Sequence, residues 1–307
     1  MAATTQSTVT AVVTAQVRSQ ILMNLRANLV YAQVATKGTI DKGHSTLIFP
    51  QYTDLGESAT TLADDGANPT AEAMALTTTT VTPSEIGRVI QITRRARAVA
   101  PHDLARIAAD LLAFDAKRRV DTIIADAAKA GGTARYSGTA TTRATVTANA
   151  ASADFRKMNT KLRSLNAMPF EMNAWLAITD PFVSGDVQAE SGGVGGSWQD
   201  TNRYTTPEQM KAGEVGKLFG SRVLESTQSP LFAAAGSGAV DVYSIHFFGR
   251  EAVGYGSIED IVTTFVSGAD KADVLDRSIY LGYRLDTGAT ALNANNFGRF
   301  ETAATSL

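Results

Sequence analysis

The 307-residue sequence contains no cysteine, which excludes disulfides, thiolate metal ligands and cysteine nucleophiles. Charged residues make up only 19% of the chain and the formal net charge is −2, so the chain exerts no bulk attraction on nucleic acid or on an anionic membrane. No apolar run approaches the length of a membrane span, and residues 1–10 lack the basic start and apolar block of a signal peptide. These absences favour a chain that folds in a reducing cytoplasm and has no membrane partner.

The length predicts about two domains, and the 44% of hydrophobic residues suffices for a sizeable core. Residues 1–12 are rich in Thr, Ala, Ser and Gln, which predicts a flexible leader. From Val13 to Leu29 apolar residues recur at four-residue spacing and predict a helix with one apolar face. That helix either packs within its own subunit or docks as an arm on a neighbouring one.

An acidic excursion without lysine or arginine runs from Gly43 to Gly87. Strands are predicted near its two ends, over 45–50 and 77–82, because those segments are rich in β-branched and aromatic residues. Some forty residues far exceed the usual connection of about 4–6, which favours a projecting two-stranded arm. The acidic residues of the excursion are Asp54, Glu57, Asp64, Asp65, Glu72 and Glu85.

A basic segment follows the acidic arm. Ile86, Ile90 and Ile92 share one strand parity, and the arginines within and after this strand are Arg88, Arg94, Arg95, Arg97 and Arg106. If identical subunits tile edge to edge, the acidic arm of one can lie over the basic segment of the next, which sets register and orientation. The alternative is two separately solvated charged faces. Under the first interpretation the inter-subunit contact residues are Asp54, Glu57, Asp64, Asp65, Glu72, Arg88, Arg94, Arg95 and Arg97.

A long helix is predicted over 101–130, because Pro101 and Asp103 suit a helix start and Gly131–Gly132 a helix end. Its apolar stripe changes sides near residue 117. A spine helix that packs against different layers at its two ends would have this pattern, and so would two helices joined by a kink.

The second half begins with a Thr/Ala-rich link over 139–149 and a shorter amphipathic helix from Phe155 to Leu165. Trp175 is predicted to open a buried strand that ends in a turn, and the glycine-rich segment 185–196 is predicted to be a mobile loop. Alternating apolar residues over 279–285 predict a half-buried strand.

No motif supports catalysis, a cofactor or a metal. The glycines around Gly213 lack the spacing and the Ser/Thr of a phosphate loop, and no serine lies in a G-x-S-x-G elbow. His44, His102 and His246 form no metal-binding pattern. We therefore expect no enzyme, although a hydrolase that uses scattered Ser, His and Asp residues remains an unsupported alternative.

The most informative segment is 213–230, G-E-V-G-K-L-F-G-S-R-V-L-E-S-T-Q-S-P. Here Gly216, Gly220 and Pro230 are predicted to form structural turns on either side of a strand over 221–226. A V-Y-x-I-x-F-F-G strand and A-V-x-Y-G-S-I follow within 242–258. This order of elements resembles the major capsid proteins of tailed bacteriophages, with the Hong Kong 97-type coat fold.

The resemblance implies an α+β fold whose parts map onto most of the chain. They are an N-terminal arm over 1–37, an extended loop over 38–93, a peripheral domain over 94–148 and 231–307 with the spine helix 101–130, and an axial α/β domain over 149–230. It also implies self-assembly, through hexamers and pentamers, into an icosahedral head shell that encloses double-stranded DNA without sequence-specific binding. Such a protein belongs to the virion and is assembled in the host bacterial cytoplasm.

The resemblance also implies partners and leaves alternatives. Scaffolding, portal and decoration proteins are candidate partners. Because the loop over 43–87 has no lysine, covalent cross-linking through a loop lysine is not expected. The alternatives are an encapsulin-like nanocompartment shell, the hydrolase mentioned above, and a tail or decoration protein of the same virion.

Overall fold

A computed structural model describes residues 29–57, 71–100, 103–171, 174–191, 198–200, 211, 213–268 and 273–305. The chain divides into two compact units. Within the described residues, the smaller unit draws on 88–113 and 263–283, and the larger on 29–87, 114–262 and 284–305. The helix predicted from Val13 to Leu29 lies outside the described residues except for its last one.

Helices and strands both contribute heavily to the described residues, in agreement with the predicted α+β class. The helices are α1 (Arg94–Val99), α2 (Leu104–Ala130), α3 (Ser152–Ser164) and α4 (Pro181–Ser191), with 3₁₀ turns at Tyr31–Gln33 and Arg143–Thr145. The strands are β1 (Thr36–Thr39), β2 (Leu47–Tyr52), β3 (Leu76–Val81), β4 (Ser84–Thr93), β5 (Thr133–Tyr136), β6 (Trp175–Thr179), β7 (Trp198–Asp200), β8 (Glu214–Leu218), β9 (Ser221–Glu225), β10 (Leu231–Phe232), β11 (Val242–Phe248), β12 (Val253–Val266), β13 (Ser278–Ala291) and β14 (Phe297–Thr302). Among the described residues, no helix has the length and hydrophobicity needed to cross a membrane.

The long helix α2 is continuous over 27 residues, or about 40 Å. Asp103 caps its start, since Oδ1 accepts hydrogen bonds from the backbone N–H groups of Ala105 (3.1 Å) and Arg106 (3.3 Å). The residues it buries change along its length, from Ala108, Leu112 and Ala116 to Ile124, Ala125 and Ala128. One helix with a moving apolar stripe is therefore observed, rather than two helices joined by a kink.

The larger unit is built on an eight-stranded sheet with the order β5-β14-β11-β6-β9-β8-β7, and β10 pairs with β11. One face carries α3, because Phe155 and Met158 pack with Trp175 and Phe247 in one apolar cluster. This confirms the helix predicted from Phe155 and the strand predicted from Trp175, which is buried throughout.

The opposite face of this sheet carries the second half of α2. Ile124 and Ala128 pack with Leu176, Phe248 and Tyr31 in a second apolar cluster. Neighbouring strand residues point to opposite faces, so Leu176 and Phe248 belong to this cluster whereas Trp175 and Phe247 belong to the first. The core of the larger unit is thus layered as helix, sheet and helix.

A four-stranded sheet has the order β1-β12-β13-β4. Strand β1 runs parallel to β12, with Thr36 opposite Gly254. The strand predicted over 279–285 is confirmed within β13, and the shared parity of Ile86, Ile90 and Ile92 falls within β4.

Two glycine predictions are wrong. Gly216 lies within β8 at an irregularity of the β8–β9 register rather than in a turn, since a bulge accommodates a glycine inside a strand. Gly185 lies in α4 rather than in a mobile loop. The tight turn before β9 is formed by Phe219 and Gly220, whose φ is +87°. Pro230 directly precedes β10, and its carbonyl accepts from Ser244 N–H at 3.3 Å.

The predicted domain boundaries stay predictions. Strands β6, β8 and β9 come from the residues expected in the axial domain, and β5, β11 and β14 from those expected in the peripheral domain. All six strands belong to one sheet, joined where His246 of β11 pairs with Ile178 of β6.

Candidate subunit interface

The acidic excursion contains the predicted two-stranded arm. Strands β2 and β3 pair antiparallel from Leu47 opposite Val81 to Tyr52 opposite Leu76. A further hydrogen bond, from Thr53 N–H to the Ala75 carbonyl at 2.9 Å, extends the ladder. The observed strands lie within two residues of the predicted ones.

One face of this hairpin packs on its own unit. Leu47, Phe49 and Val81 share that face and lie on glycines of β1 and β12. A Cβ added to Gly254 would lie 2.9 Å from Phe49 Cε2, and one added to Gly256 would lie 3.2 Å from Val81 Cγ1. The glycines thus allow the base of the hairpin to lie directly on the strands beneath it.

The other face of the hairpin is apolar and exposed. Ile48, Tyr52 and Leu76 share it, with 55%, 65% and 53% of their surface exposed. Leu55 and Met74, just beyond the strands, are also exposed. Exposed apolar side chains gathered on one face are typical of a surface that binds another molecule. We call Ile48, Tyr52 and Leu76 the outer apolar face.

This face was not predicted, although the sequence carries a signal for it. Residues Leu47 to Phe49 are apolar on both strand parities, and Tyr52 continues the outer parity. A strand that is apolar on both faces needs a partner on each.

The predicted acidic contact residues flank the far end of the hairpin. Asp54, Glu57 and Glu72 are exposed, and none of them forms an ion pair with another described residue. Asp54 Oδ1 accepts a hydrogen bond from Gly56 N–H at 3.3 Å. Asp64 and Asp65 lie outside the described residues.

The predicted basic residues belong to the smaller unit. Arg94, Arg95 and Arg97 lie on the short helix α1, and all three are exposed. Arg88 is exposed on β4 and Arg106 on α2. The structure therefore brings three of the predicted arginines onto one helical turn.

Helix α1 borders a cleft of about 790 Å³. Arg94 and Arg95 line it together with Arg277, whose backbone carbonyl accepts from Arg94 N–H at 2.7 Å. The acid in the lining, Asp273, accepts a hydrogen bond from Ser278 N–H at 2.7 Å. The lining is thus rich in guanidinium groups, which suits a carboxylate-bearing partner.

The two described histidines lie in different environments. His44 is exposed, His102 lies outside the described residues, and His246 is fully buried. Across the described ranges, no group of His, Asp and Glu side chains has the arrangement of a metal site.

The chain matches no protein-family model and no curated protein sequence. Its structure resembles those of several phage capsids. The capsid of Ralstonia phage GP4 superimposes with a TM-score of 0.79 at 13% sequence identity, covering 99% of both chains. The capsid asymmetric unit of cyanophage Pam1 gives 0.74 at 14% identity, covering 97% of this chain and 98% of that one. The capsid of cyanophage P-SCSP1u gives 0.69 at 16% identity, covering 97% and 95%.

At these identities the comparison shows the fold alone. The chain has the fold of these capsid structures over almost its whole length. The predicted coat fold is therefore confirmed.

Proposed function

From a fold shared with phage capsids, we propose that this chain is a major capsid protein. Copies of it assemble, as hexamers and pentamers, into an icosahedral head shell around double-stranded DNA. The role is structural, without catalysis, and the protein is part of the virion after assembly in the bacterial cytoplasm. Scaffolding, portal and decoration proteins are the further partners that we propose.

The observation that carries this proposal is the outer apolar face. The hairpin is fixed on its own unit through Leu47, Phe49 and Val81, while Ile48 and Tyr52 on its other side are exposed. Burial of apolar surface is worth about 25 cal/mol per Å², so covering this face favours association. In a closed symmetric assembly every copy can use the same surface.

Charged residues would orient one copy relative to the next at this contact. The acidic residues at the end of the hairpin and the arginines of α1 are of opposite sign. We propose that the acidic end of one copy meets α1 of the next, which fixes register more than affinity.

Expression of the chain alone, followed by negative-stain electron microscopy, tests the function directly. Closed shells are the expected result. A small oligomer of fixed size would contradict the proposal and favour the hydrolase. Shells that enclose an enzyme in their native source, instead of DNA, would identify an encapsulin-like compartment.

The outer apolar face is tested by the triple substitution Ile48→Thr, Tyr52→Thr and Leu76→Thr. Threonine keeps the β-propensity of the strands and removes most of the apolar surface. We expect a folded subunit whose yield of shells falls at least tenfold, measured by size-exclusion chromatography and electron microscopy. The matched control is Thr78→Ser with Thr80→Ser, on the same face and strand. A normal shell yield from the triple variant would refute the role of this face.

The charge contact is tested by reversing Arg94, Arg95 and Arg97 to glutamate. All three are exposed, so we expect the subunit to stay folded and shell formation to be blocked. The control replaces the same three residues by lysine, keeps the charge, and is expected to assemble. Normal shells from the glutamate variant in electron micrographs would exclude this contact.

A further inference from the structure

A pocket of about 720 Å³ in the larger unit has a concentration of positive charge. It lies between the edge strand β5 and helix α3. We propose that this pocket binds the phosphates of a nucleic-acid strand, an inference that rests on the proposed function. Its cationic lining residues are Arg135, Arg156, Lys157 and Lys161.

The acid in the lining, Asp154, is already engaged. Its Oδ2 accepts from Ala151 N–H at 3.1 Å, and its Oδ1 pairs with Lys157 Nζ at 2.9 Å. With four cations and one acid the lining has a net charge of 4 − 1 = +3. Within the described part of the chain, Arg135, Arg156 and Lys161 form no ion pair. A chain with a net charge of −2 thus concentrates unpaired cations in one concave place, which attracts an anion.

The spacing of the cations suits a repeating anion. Arg156 and Lys161 are five residues apart on α3, which places them roughly 7.5 Å apart along the helix axis. One DNA strand carries a phosphate about every 3.4 Å along its axis, so this distance covers about two phosphate steps. Arg135 on β5 faces the same pocket from the other wall. Arginine forks match phosphate oxygens in a bidentate manner.

The remaining residues that line the pocket favour contact with the phosphate backbone of a nucleic acid over contact with its bases. Thr160 and Ser164 donate their hydroxyl hydrogens to α3 carbonyls at 2.9 and 2.7 Å, so the cations are the charged donors that the lining offers to a ligand. The ring of Tyr136 packs against the apolar cluster of Val146, and Phe300 is buried. The proposed contacts are ionic contacts to phosphates, so we expect binding to be independent of base sequence.

The test uses the full chain as unassembled subunits, a fluorescein-labelled 20-bp duplex, and anisotropy over about 50–200 mM salt. Three phosphate contacts predict a slope of about −2.7 for log K against log salt. The variant Arg135→Glu with Lys161→Glu should lose at least tenfold in affinity at low salt, with a slope nearer zero. The matched control is Arg163→Glu, an exposed residue of α3 outside the pocket, which should keep the wild-type slope.

Several results would overturn the inference. The first is an unchanged affinity of the double variant for the labelled duplex, and the second is an equal loss of affinity in the Arg163 variant. The third is displacement of the labelled duplex by inorganic phosphate or oligoglutamate as effectively as by unlabelled duplex, compared at equal total charge. If circular dichroism shows the double variant unfolded, Arg135→Gln with Lys161→Gln replaces it under the same criteria. Electron microscopy of the wild-type chain, concentrated separately under conditions that favour assembly, separates the two proposals. Absence of shells counts against the proposed function, whereas shells together with unaffected DNA binding in the double variant count only against the pocket.

Discussion

Replacing Glu301 by glutamine is expected to lower the free energy of unfolding of the unassembled subunit by about 3–5 kcal/mol. The Glu301 side chain is fully buried on β14. Arg143 holds it with two hydrogen bonds, Nε to Oε2 at 2.7 Å and Nη2 to Oε1 at 2.8 Å. Arg299 Nε lies 2.9 Å from Oε1 as a third cationic contact.

The large effect follows from the two arginines that the substitution leaves behind. Arg299 is mostly buried, and its Nη1 also bonds to the Lys129 carbonyl near the end of α2. The hydrogen bond to Glu301 raises the pKa of Arg143, so this guanidinium stays charged in the fold. Without the carboxylate, two positive charges face each other in a poorly solvated site.

Urea denaturation of the wild-type and Glu301→Gln subunits measures this difference. The matched control is Glu259→Gln, which removes a carboxylate from the exposed pair with Arg284, where the two side chains are 45% and 53% exposed. An exposed pair of this kind contributes less than about 1 kcal/mol. A loss of that small size in the Glu301 variant would show that the buried cluster does not stabilise the fold.

Lowering the pH from 7 to 4 is expected to remove about 3 kcal/mol of stability through His246 alone. His246 is fully buried, with the Tyr31 hydroxyl 3.0 Å from its Nδ1, and its Nε2 has no hydrogen-bond partner among the described residues. Burial, together with the charge of Arg299, lowers the pKa of His246 from 6.5 to about 3. The unfolded chain therefore takes up this proton first, and stability falls as the pH drops from 6.5 towards 3.

Asp121 opposes this trend. Its Oδ1 accepts from Ala32 N–H at 3.0 Å and so holds the 3₁₀ turn against α2. Burial raises the pKa of Asp121 from 3.8 to about 6. The folded chain takes up this proton first, so stability rises by about 2 kcal/mol as the pH falls from 6 to 4. In the wild type, the pH-dependent contributions of His246 and Asp121 to stability therefore partly cancel.

Two variants separate the contributions. His246→Gln keeps an acceptor for Tyr31 but does not titrate, so the advantage of the wild type over this variant should shrink by about 3 kcal/mol between pH 7 and pH 4. The advantage of the wild type over Asp121→Asn should instead grow by about 2 kcal/mol. Urea denaturation at several pH values measures both. Differences that stay constant with pH would contradict the assigned titrations.

The periodic elements of this chain could be predicted because each carries its own pattern. The alternating three- and four-residue spacing from Phe155 and the apolar run from Trp175 are local signals, and both elements are confirmed. The alternation over 279–285 marked a strand in the same way, although β12 and β13 both extend well beyond the local pattern.

The failures have physical causes. Gly185 was predicted to lie in a loop, but Asp180 caps α4 by accepting a hydrogen bond from Phe182 N–H on its Oδ1 at 3.0 Å, and Pro181 occupies the first helical position. Arg143 and Glu301 are 158 residues apart, so no local sequence pattern predicts their ion pair.

The candidate interface was only half predictable. The charges of the hairpin and of α1 can be read from composition, because no cation falls between Gly43 and Gly87. The exposure of Ile48, Tyr52 and Leu76 was not predicted, since an apolar residue in a strand is more often buried in its own subunit. Their exposure depends on the fold, because it is the opposite face of the hairpin that packs against the glycines of β1 and β12.

Anchoring the hairpin by a single side limits how long a lone subunit can stay in solution. An apolar ribbon adheres to any similar ribbon, misaligned copies included. Correct and incorrect encounters both become faster as subunits accumulate. We therefore expect a limiting subunit concentration above which aggregation competes with shell assembly. Slow expression should then give more complete shells than rapid overexpression.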